Sequence, residues 1–428
     1  MIINIFVLLF FFISVYLSFK YKFIHLNFFK SSIKTLKNSV KNKDNQHKAF
    51  LLSLGNHIGA GNIVGVASAL IIGGLSSVFW MNICLLFTSI YSLIENSLAV
   101  KYQMKIEEEY RGGSPFYIKY GLKNNALSYL FSFLLIVSST FFFLPIQVNS
   151  LKSSIVFIND IPNIYMFLFI LLFSMLFLFK GTKKILKISE TIVPFVSLLF
   201  LVLCLSVIIV NYKALPNAIY AIIFSSLNDF KLKTIIGAFI GGSINIGFRR
   251  SIFSNEAGIG TAPTFNAMIK AKPIEQAYLQ VFACFIDTIV MCSLFALVIV
   301  LSNIDYTNMS SFELSIYVFT RYFGNDLGLI IGSFFLFFFS LATIIGSFYS
   351  GETNCLFFCN NNIKFAKNIY RMMFTICLFL GVYMNENNIW NLVDYGIVIL
   401  GIINVYVLLK MEKEFKFIID NKWKTFIF

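Results

Sequence analysis

The stretch Leu54-Gly55-Asn56-His57-Ile58-Gly59-Ala60-Gly61-Asn62-Ile63-Val64-Gly65 sets four glycines, two asparagines and a histidine inside the apolar run 49–75. Glycine permits a helix to unwind, and backbone groups freed at membrane depth must then meet a ligand, an ion or water. A second stretch is similar. Gly237-Ala238-Phe239-Ile240-Gly241-Gly242-Ser243-Ile244-Asn245-Ile246-Gly247 runs on to Ser254-Asn255-Glu256-Ala257-Gly258 within segment 234–258. Around both, runs of about 20 apolar residues recur, the length needed to cross hydrocarbon. The 428 residues are 58% apolar, 18% aromatic and only 13% charged, whereas soluble proteins carry about a quarter charged residues. The chain is therefore read as a polytopic membrane protein. This excludes a soluble enzyme, a secreted disulfide scaffold and most nucleic-acid binders.

Eleven spans are predicted, near 2–19, 49–75, 78–100, 127–150, 163–179, 191–211, 234–258, 277–302, 327–350, 370–384 and 390–409. The first lacks a basic start and a small-residue cleavage site, so it reads as a retained anchor. The two glycine-rich segments stand five apart in this order. Setting the first helix aside leaves two sets of five, each opening with an interrupted helix. Five is odd, so the second set runs in the opposite sense across the bilayer, and corresponding broken helices in inverted halves point to a transporter's central site. Glycine-rich helices also occur at tight helix contacts. The fold class is thus an all-α membrane protein of two inverted five-helix repeats, with two discontinuous helices and one extra N-terminal helix. Residues 1–24 form the extra helix and 25–48 a basic cytoplasmic loop. Residues 49–212 and 213–410 form the repeats, and 411–428 a cytoplasmic tail.

The net charge of +14 reads as topology. With the N-terminus outside, 29 of the 34 Lys and Arg residues fall on the inner side, leaving only Lys152, Lys213, Lys231, Lys233 and Arg321 outside. Basic loops resist translocation, so the chain is placed N-out and C-in, in the cell membrane. The lipid bilayer is then the surrounding partner, and no nucleic acid is expected. The seven cysteines lie mostly in apolar runs without a CxxC pair and read as buried free thiols.

These stretches and their neighbours resemble the alanine/glycine:cation symporter family, also called the sodium:alanine symporters. The likeness runs through Gly59-x-Gly61-Asn62-Ile63-x-Gly65-Val66-Ala67, Glu95, Arg111-Gly112-Gly113-Ser114-Pro115, Gln147-x-Asn149-Ser150 and Ile252-Phe253-Ser254-Asn255-Glu256-Ala257-Gly258-Ile259-Gly260. It continues through Phe285-Ile286-Asp287-Thr288, Thr343-Ile344-Ile345-Gly346 and Trp390-Asn391-Leu392 with Asp394, in family order over about residues 46–410. The resemblance implies an amino-acid/polyamine/organocation-type fold and sodium-coupled uptake of alanine, glycine or another small neutral amino acid. Residues 55–62 also look like the first core helix of neurotransmitter:sodium symporters. That likeness implies carboxylate-binding N–H groups at Ala60 and Gly61, beside Gly59. It also implies sodium-binding oxygens from Gly55, Ile58 and the Asn62 side chain, with Thr343 added by the family. Gln147, Ser254, Asn255, Thr343 and Ser347 would close the substrate pocket. Independently of any likeness, a zwitterion needs N–H donors and a positive half-helix end for its carboxylate, while sodium needs hard oxygens.

The chain departs from the family at Ala60 (usually threonine), Ala342 (often a hydroxyl), Ser347 (usually tryptophan) and Phe143-Leu144 (usually Gly-Asn). Losing the tryptophan enlarges a pocket, and losing hydroxyls weakens an ion site. His57 beside the break offers a proton-coupled alternative. Glu95 and Asp287, in apolar segments, should face the bundle interior, since lipid exposure costs about 3 kcal/mol or more; they could pair with Arg249 or Arg250. Near helix ends they could equally act as caps: Glu95 reads as a structural or gating residue, Asp287 as a gating or proton residue, and Glu256 as close to the site with the same gating or proton role open. Arg249-Arg250 reads as an inner-face anchor or gate. The aromatic run Phe141-Phe142-Phe143 reads as lipid-facing or packing surface. No Walker, GxSxG, HExxH or zinc-ligand spacing occurs, so neither enzyme chemistry nor an organic cofactor is expected. Coupling then follows from ion and substrate favouring one conformation. The alternatives are a proton-coupled or uncoupled permease and, from a different class, a channel or an amino-acid sensor. Polar groups concentrated at two breaks disfavour the channel, and a short tail disfavours the sensor.

Overall fold

A computed structural model describes residues 2–42, 46–106, 109–156, 162–178, 182–229, 235–239, 241–359 and 362–420. In the first half the helices are α1 (Ile2–Lys20), α2 (Phe28–Asn42), α3 (Gln46–His57), α4 (Val66–Gly73), α5 (Leu75–Lys101), α6 (Ser114–Tyr120), α7 (Asn125–Val137), α8 (Leu144–Val156), α9 (Asn163–Leu178) and α10 (Thr182–Val210). There follow α11 (Leu215–Asp229), α12 (Ile235–Phe239), α13 (Ser243–Asn255), α14 (Pro263–Asn266), α15 (Pro273–Phe285) and α16 (Ser293–Ser302). The last are α17 (Ser311–Tyr317), α18 (Thr320–Phe323), α19 (Asn325–Phe358), α20 (Ile363–Tyr383), α21 (Glu386–Lys410) and α22 (Glu412–Asp420). The strands β1 (Met104–Ile106) and β2 (Glu109–Arg111) form a small antiparallel hairpin, and the other elements among the described residues are helical. Wider π turns lie at Gly61–Gly65, Ser138–Phe142 and Ile286–Cys292.

Among the described residues, eight helical stretches are long and apolar enough to cross a membrane: 2–20, 75–101, 125–156, 192–210, 273–302, 325–358, 363–383 and 386–410. They coincide with eight of the eleven predicted spans. The glycine-rich segments are absent from this set because their breaks divide them into pieces too short to span. The segment near 163–179 appears as a 16-residue helix. Several helices lie outside the predicted spans. Residues 25–48, read as a loop, contain α2, and α11 lies between predicted spans six and seven. The tail also forms α22, while its end and the glutamates 107 and 108 lie outside the described residues.

Two faces are defined by side-chain contacts between distant segments. On one, Asn149 Nδ2 donates to the carbonyls of Gly381 (3.2 Å) and Met384 (2.9 Å), and Ser311 N donates to Glu386 Oε1 (3.0 Å). This gathers the end of α8, the start of α17, the end of α20 and the start of α21. On the opposite face, Lys20 pairs with Glu412 (2.5 Å), Lys101 pairs with Glu414, and Arg111 Nη1 donates to Thr353 Oγ1 (3.0 Å). The lysines of α2 belong to this second, basic face. Exposed Leu168, Leu172, Phe195, Leu198, Val202 and Ile209 on α9 and α10 form an apolar outer surface suited to lipid.

Candidate functional site

Helix α3 ends at His57, the chain bends at Ile58 and Gly59, and the helix resumes from Ala60 through a π turn. Ala60 and Gly61 stand in the first turn of the resumed helix, where N–H groups lack intrahelical acceptors and carry a positive end. The Gly59 amide donates to Asn62 Oδ1 at 2.8 Å. Glycine is required at Gly59 by contact: a Cβ there would lie 2.0 Å from Thr343 Oγ1. Overpacking of this kind costs about 1–3 kcal/mol. Gly59→Ala is therefore expected to lower uptake at least about fivefold at unchanged membrane abundance, since each 1.4 kcal/mol is a factor of ten. Retained parental uptake would show that Thr343 does not pack on the break.

The segment 234–258 is interrupted between α12 and α13, where Gly241 takes a φ of 93°, and the break that meets the site lies beyond α13; neither is at Gly247. That glycine is inside the helix, and a Cβ on it would meet the Ser77 carbonyl at 2.5 Å. Its role is close helix contact, the alternative reading for such glycines. The helix stops at Glu256, which takes a left-handed φ of 53°. Gly258 (φ 88°) and Gly260 (φ 80°) carry the chain to α14. Buried Glu95 holds this turn. Its Oε1 accepts from Gly258 N (3.0 Å), and its Oε2 accepts from Gly260 N (3.2 Å) and Asn404 Nδ2 (2.7 Å). Asn404 is in turn bound through Oδ1 by the Tyr117 hydroxyl at 2.6 Å.

Asp287 joins the two breaks. Its Oδ1 accepts from Asn62 Nδ2 (2.6 Å), and its Oδ2 accepts from Ser254 Oγ (2.8 Å) and Thr288 Oγ1 (2.9 Å). It stands at the head of the π turn in the span 273–302, a distortion frequent at functional sites. Beside this junction is a cavity lined by His57, Gly59 and Gly61 from the first break and by Phe253, Ser254, Glu256, Ile259, Thr261 and Phe265 from the second. Leu135, Ser139, Phe143 and Gln147 line its third side, and Thr343, Gly346, Ser347 and Ser350 its fourth.

The model of the sodium:alanine symporter family matches residues 1–424. The chain belongs to that family. It is a transporter of amino-acid and sodium-symport type, not an enzyme. It is similar to the amino-acid carrier protein AlsT of Bacillus subtilis, 29% identical over 365 residues that cover 84% of this chain and 76% of the relative. The sodium/alanine symporter AgcS of Methanococcus maripaludis is 29% identical over 359 residues, 81% and 77% of the two chains. The probable sodium/glutamine symporter GlnT of Bacillus subtilis is 29% identical over 408 residues, 94% and 84%.

Of the residues singled out from sequence, His57, Gly59, Gly61, Gln147, Ser254, Glu256, Thr343 and Ser347 line the cavity of this family member. The others do not. Ala60 and Ile58 are packed in apolar clusters, and Gly55 lies against Val193. Asn62 turns to Asp287. Asn255 braces its own turn, donating from Nδ2 to Ser251 Oγ (3.1 Å) and Thr288 Oγ1 (3.3 Å) and accepting from Ala257 N (3.0 Å). Glu256 Oε2 accepts from Thr261 Oγ1 at 2.5 Å.

Two expectations are corrected. Neither Glu95 nor Asp287 pairs with arginine; glycine amides, amides of asparagine and hydroxyls satisfy them instead. Arg249 and Arg250 are not at the basic face. They precede the second break and bind Asp394, Nη1 to Oδ2 at 2.5 Å and Nη1 to Oδ1 at 3.1 Å, and Arg250 lies 3.6 Å above the Trp390 ring. Asp394 and Trp390 start α21 at the opposite face, so the pairing is tertiary and not set by distance in sequence. Trp390 in turn packs edge-on at 5.6 Å against Phe253, which lines the cavity.

Phe143, Asn404 and Gln280 were missed. Phe143 was read within an aromatic run, yet it faces Phe253 at 6.2 Å and lines the cavity. Its signal was its departure from the family's Gly-Asn. Asn404 is a polar residue deep in an apolar span, a signal in itself. Gln280 bonds to His57 Nε2 through Nε2 and accepts from Ser53 Oγ through Oε1. Only the packing of α15 on α3 makes that chain visible.

Proposed function

We propose that this chain is a secondary active transporter that carries a small neutral amino acid together with sodium across the cell membrane. The meeting of two broken helices on the single Asp287 carboxylate carries this reading, because rocking one helix set against the other is then felt at both breaks. Alanine or glycine suits the family and the carriers it resembles. The substrate carboxylate would meet the N–H groups of Ala60 and Gly61, and its ammonium the Gln147 Oε1, a buried acceptor with no partner among the described residues. Sodium, as cargo, would take oxygens of Gly55, Ile58, Asn62 and Thr343. Eleven spans would form the extra helix (1–24) and the inverted repeats (49–212 and 213–410), N-out and C-in. In that orientation the Arg249–Asp394–Arg250 cluster and Trp390 shut the outer side. The cavity, running past Thr261 and Ser350, faces inward. Proton coupling is the second reading, favoured by the buried Ser53–Gln280–His57 chain.

Proteoliposomes with an imposed sodium gradient are expected to accumulate labelled alanine, and a proton gradient alone is expected to drive none. Accumulation under the proton gradient alone would transfer coupling to His57. Absence of accumulation under both, from folded protein, would overturn the transport reading for this substrate class.

A further inference from the structure

We infer that α2 is an interfacial helix that recognises anionic phospholipid headgroups. Lys30, Lys34, Lys37 and Lys41 are all exposed and follow one another at spacings of four, three and four. At about 100° per residue they form one stripe less than about 60° wide. Phe29, Ile33, Leu36 and Val40 repeat the same spacing one position earlier. They form an apolar stripe next to the lysines, with Phe29 58% and Val40 65% exposed. The third face is anchored: Ser32 Oγ donates to the Tyr278 carbonyl at 2.9 Å, buried Ser39 Oγ lies 3.0 Å from His47 Nδ1, and Phe28 stacks on Phe285 at 4.1 Å.

Membrane topology by itself depends on how many lysines a segment carries and not on their helical face. A basic stripe bordered by exposed apolar side chains is the pattern of a helix lying in the headgroup layer, its apolar edge in the acyl boundary and its lysines reaching phosphate. Position supports the same partner. Helix α1 leaves the apolar layer at Lys20, only eight residues before α2 begins, so α2 is tethered at the membrane surface. No acidic residue occurs between Lys20 and Asn42 to neutralise the stripe from within. Charge complementarity therefore selects lipids with net negative headgroups, each lysine near such a surface being favoured about fivefold.

Val40→Trp in the full-length protein provides a reporter, read as the difference from parent protein in vesicles of mixed phosphatidylcholine and phosphatidylglycerol. Quenching by brominated phosphatidylglycerol is expected to exceed that by brominated phosphatidylcholine at equal mole fraction by about twofold or more. In the same reporter, Lys→Gln at 30, 34, 37 and 41 together should abolish the difference. If that variant fails to insert, raising salt from about 0.05 to 0.5 M should shrink it in the unsubstituted reporter, since the lysines lie at the solvent boundary. A reporter that no brominated lipid quenches would show that α2 faces water. Equal quenching by both lipids, or a preference that survives both loss of lysines and salt, would show that charge does not select the lipid. These outcomes do not depend on transport.

Discussion

Uptake is expected to fall by about a hundredfold or more when Asp287 is replaced by alanine. Three buried side-chain donors, on Asn62, Ser254 and Thr288, lose their common acceptor. Each buried donor left unpaired costs about 1–3 kcal/mol. The donors lie on both broken helices, so the loss falls on the relation between them, where transport depends on two well-defined arrangements. Asp287→Asn keeps one acceptor oxygen, and the Ser254 and Thr288 hydroxyls can turn to accept from the new amide. That variant should retain measurable uptake, between parent and alanine. The measurement is initial uptake of labelled alanine into proteoliposomes, normalised to protein that elutes as a single folded species. Parental uptake by Asp287→Ala would show that this carboxylate does not couple the breaks.

The second large effect concerns stability. Glu95→Ala removes the acceptor for Gly258 N, Gly260 N and Asn404 Nδ2 together, all fully enclosed. Three such losses at about 1–3 kcal/mol each approach the 5–15 kcal/mol by which folded proteins are usually stable. Glu95 takes the amides of this left-handed turn, while Asn404 Nδ2 and Ser114 Oγ donate to its Gly258 and Gly260 carbonyls (2.9 Å each). Glu95→Ala is expected to reach the membrane in greatly reduced amount and to unfold at clearly lower temperature in detergent. Asn404→Ala, which removes one of the three donors and leaves the carboxylate bound to both amides, should be milder. Equal thermal stability of parent and Glu95→Ala would remove Glu95 from this capping role.

Much of the cavity was legible because its chemistry conflicts with its surroundings. Glycine, asparagine and histidine within residues 54–65, and the Ser254-Asn255-Glu256 run, have no place in a lipid-facing helix. Eight of the residues named from sequence do line one cavity. The position of the second break was less legible, because two glycine clusters competed. Gly241, Gly242 and Gly247 look as disruptive as Gly258 and Gly260. Gly241 does interrupt the helix between α12 and α13, yet Gly247 is a contact glycine against Ser77, and the turn beside the cavity forms where left-handed φ values and the Glu95 carboxylate coincide. Helix α2 was hidden for a different reason. A lysine count reports topology, whereas the amphipathic pattern in residues 28–42 needed to be read by helical face.

The amino-acid sequence alone determined the membrane environment, the helical class, the family and the first place where a helix yields. Each of these follows from local quantities: apolar run length, charge density, and glycine and amide placement against a water-free solvent. Which charge meets which was decided by tertiary structure. Asp287 lies 225 residues from Asn62 and 33 from Ser254, Asp394 lies about 144 from its arginines, and Glu95 more than 160 from the glycines it holds. A buried carboxylate must find donors, but its own sequence neighbourhood does not say whether arginine, amide or hydroxyl will supply them. That choice depends on which helices pack together.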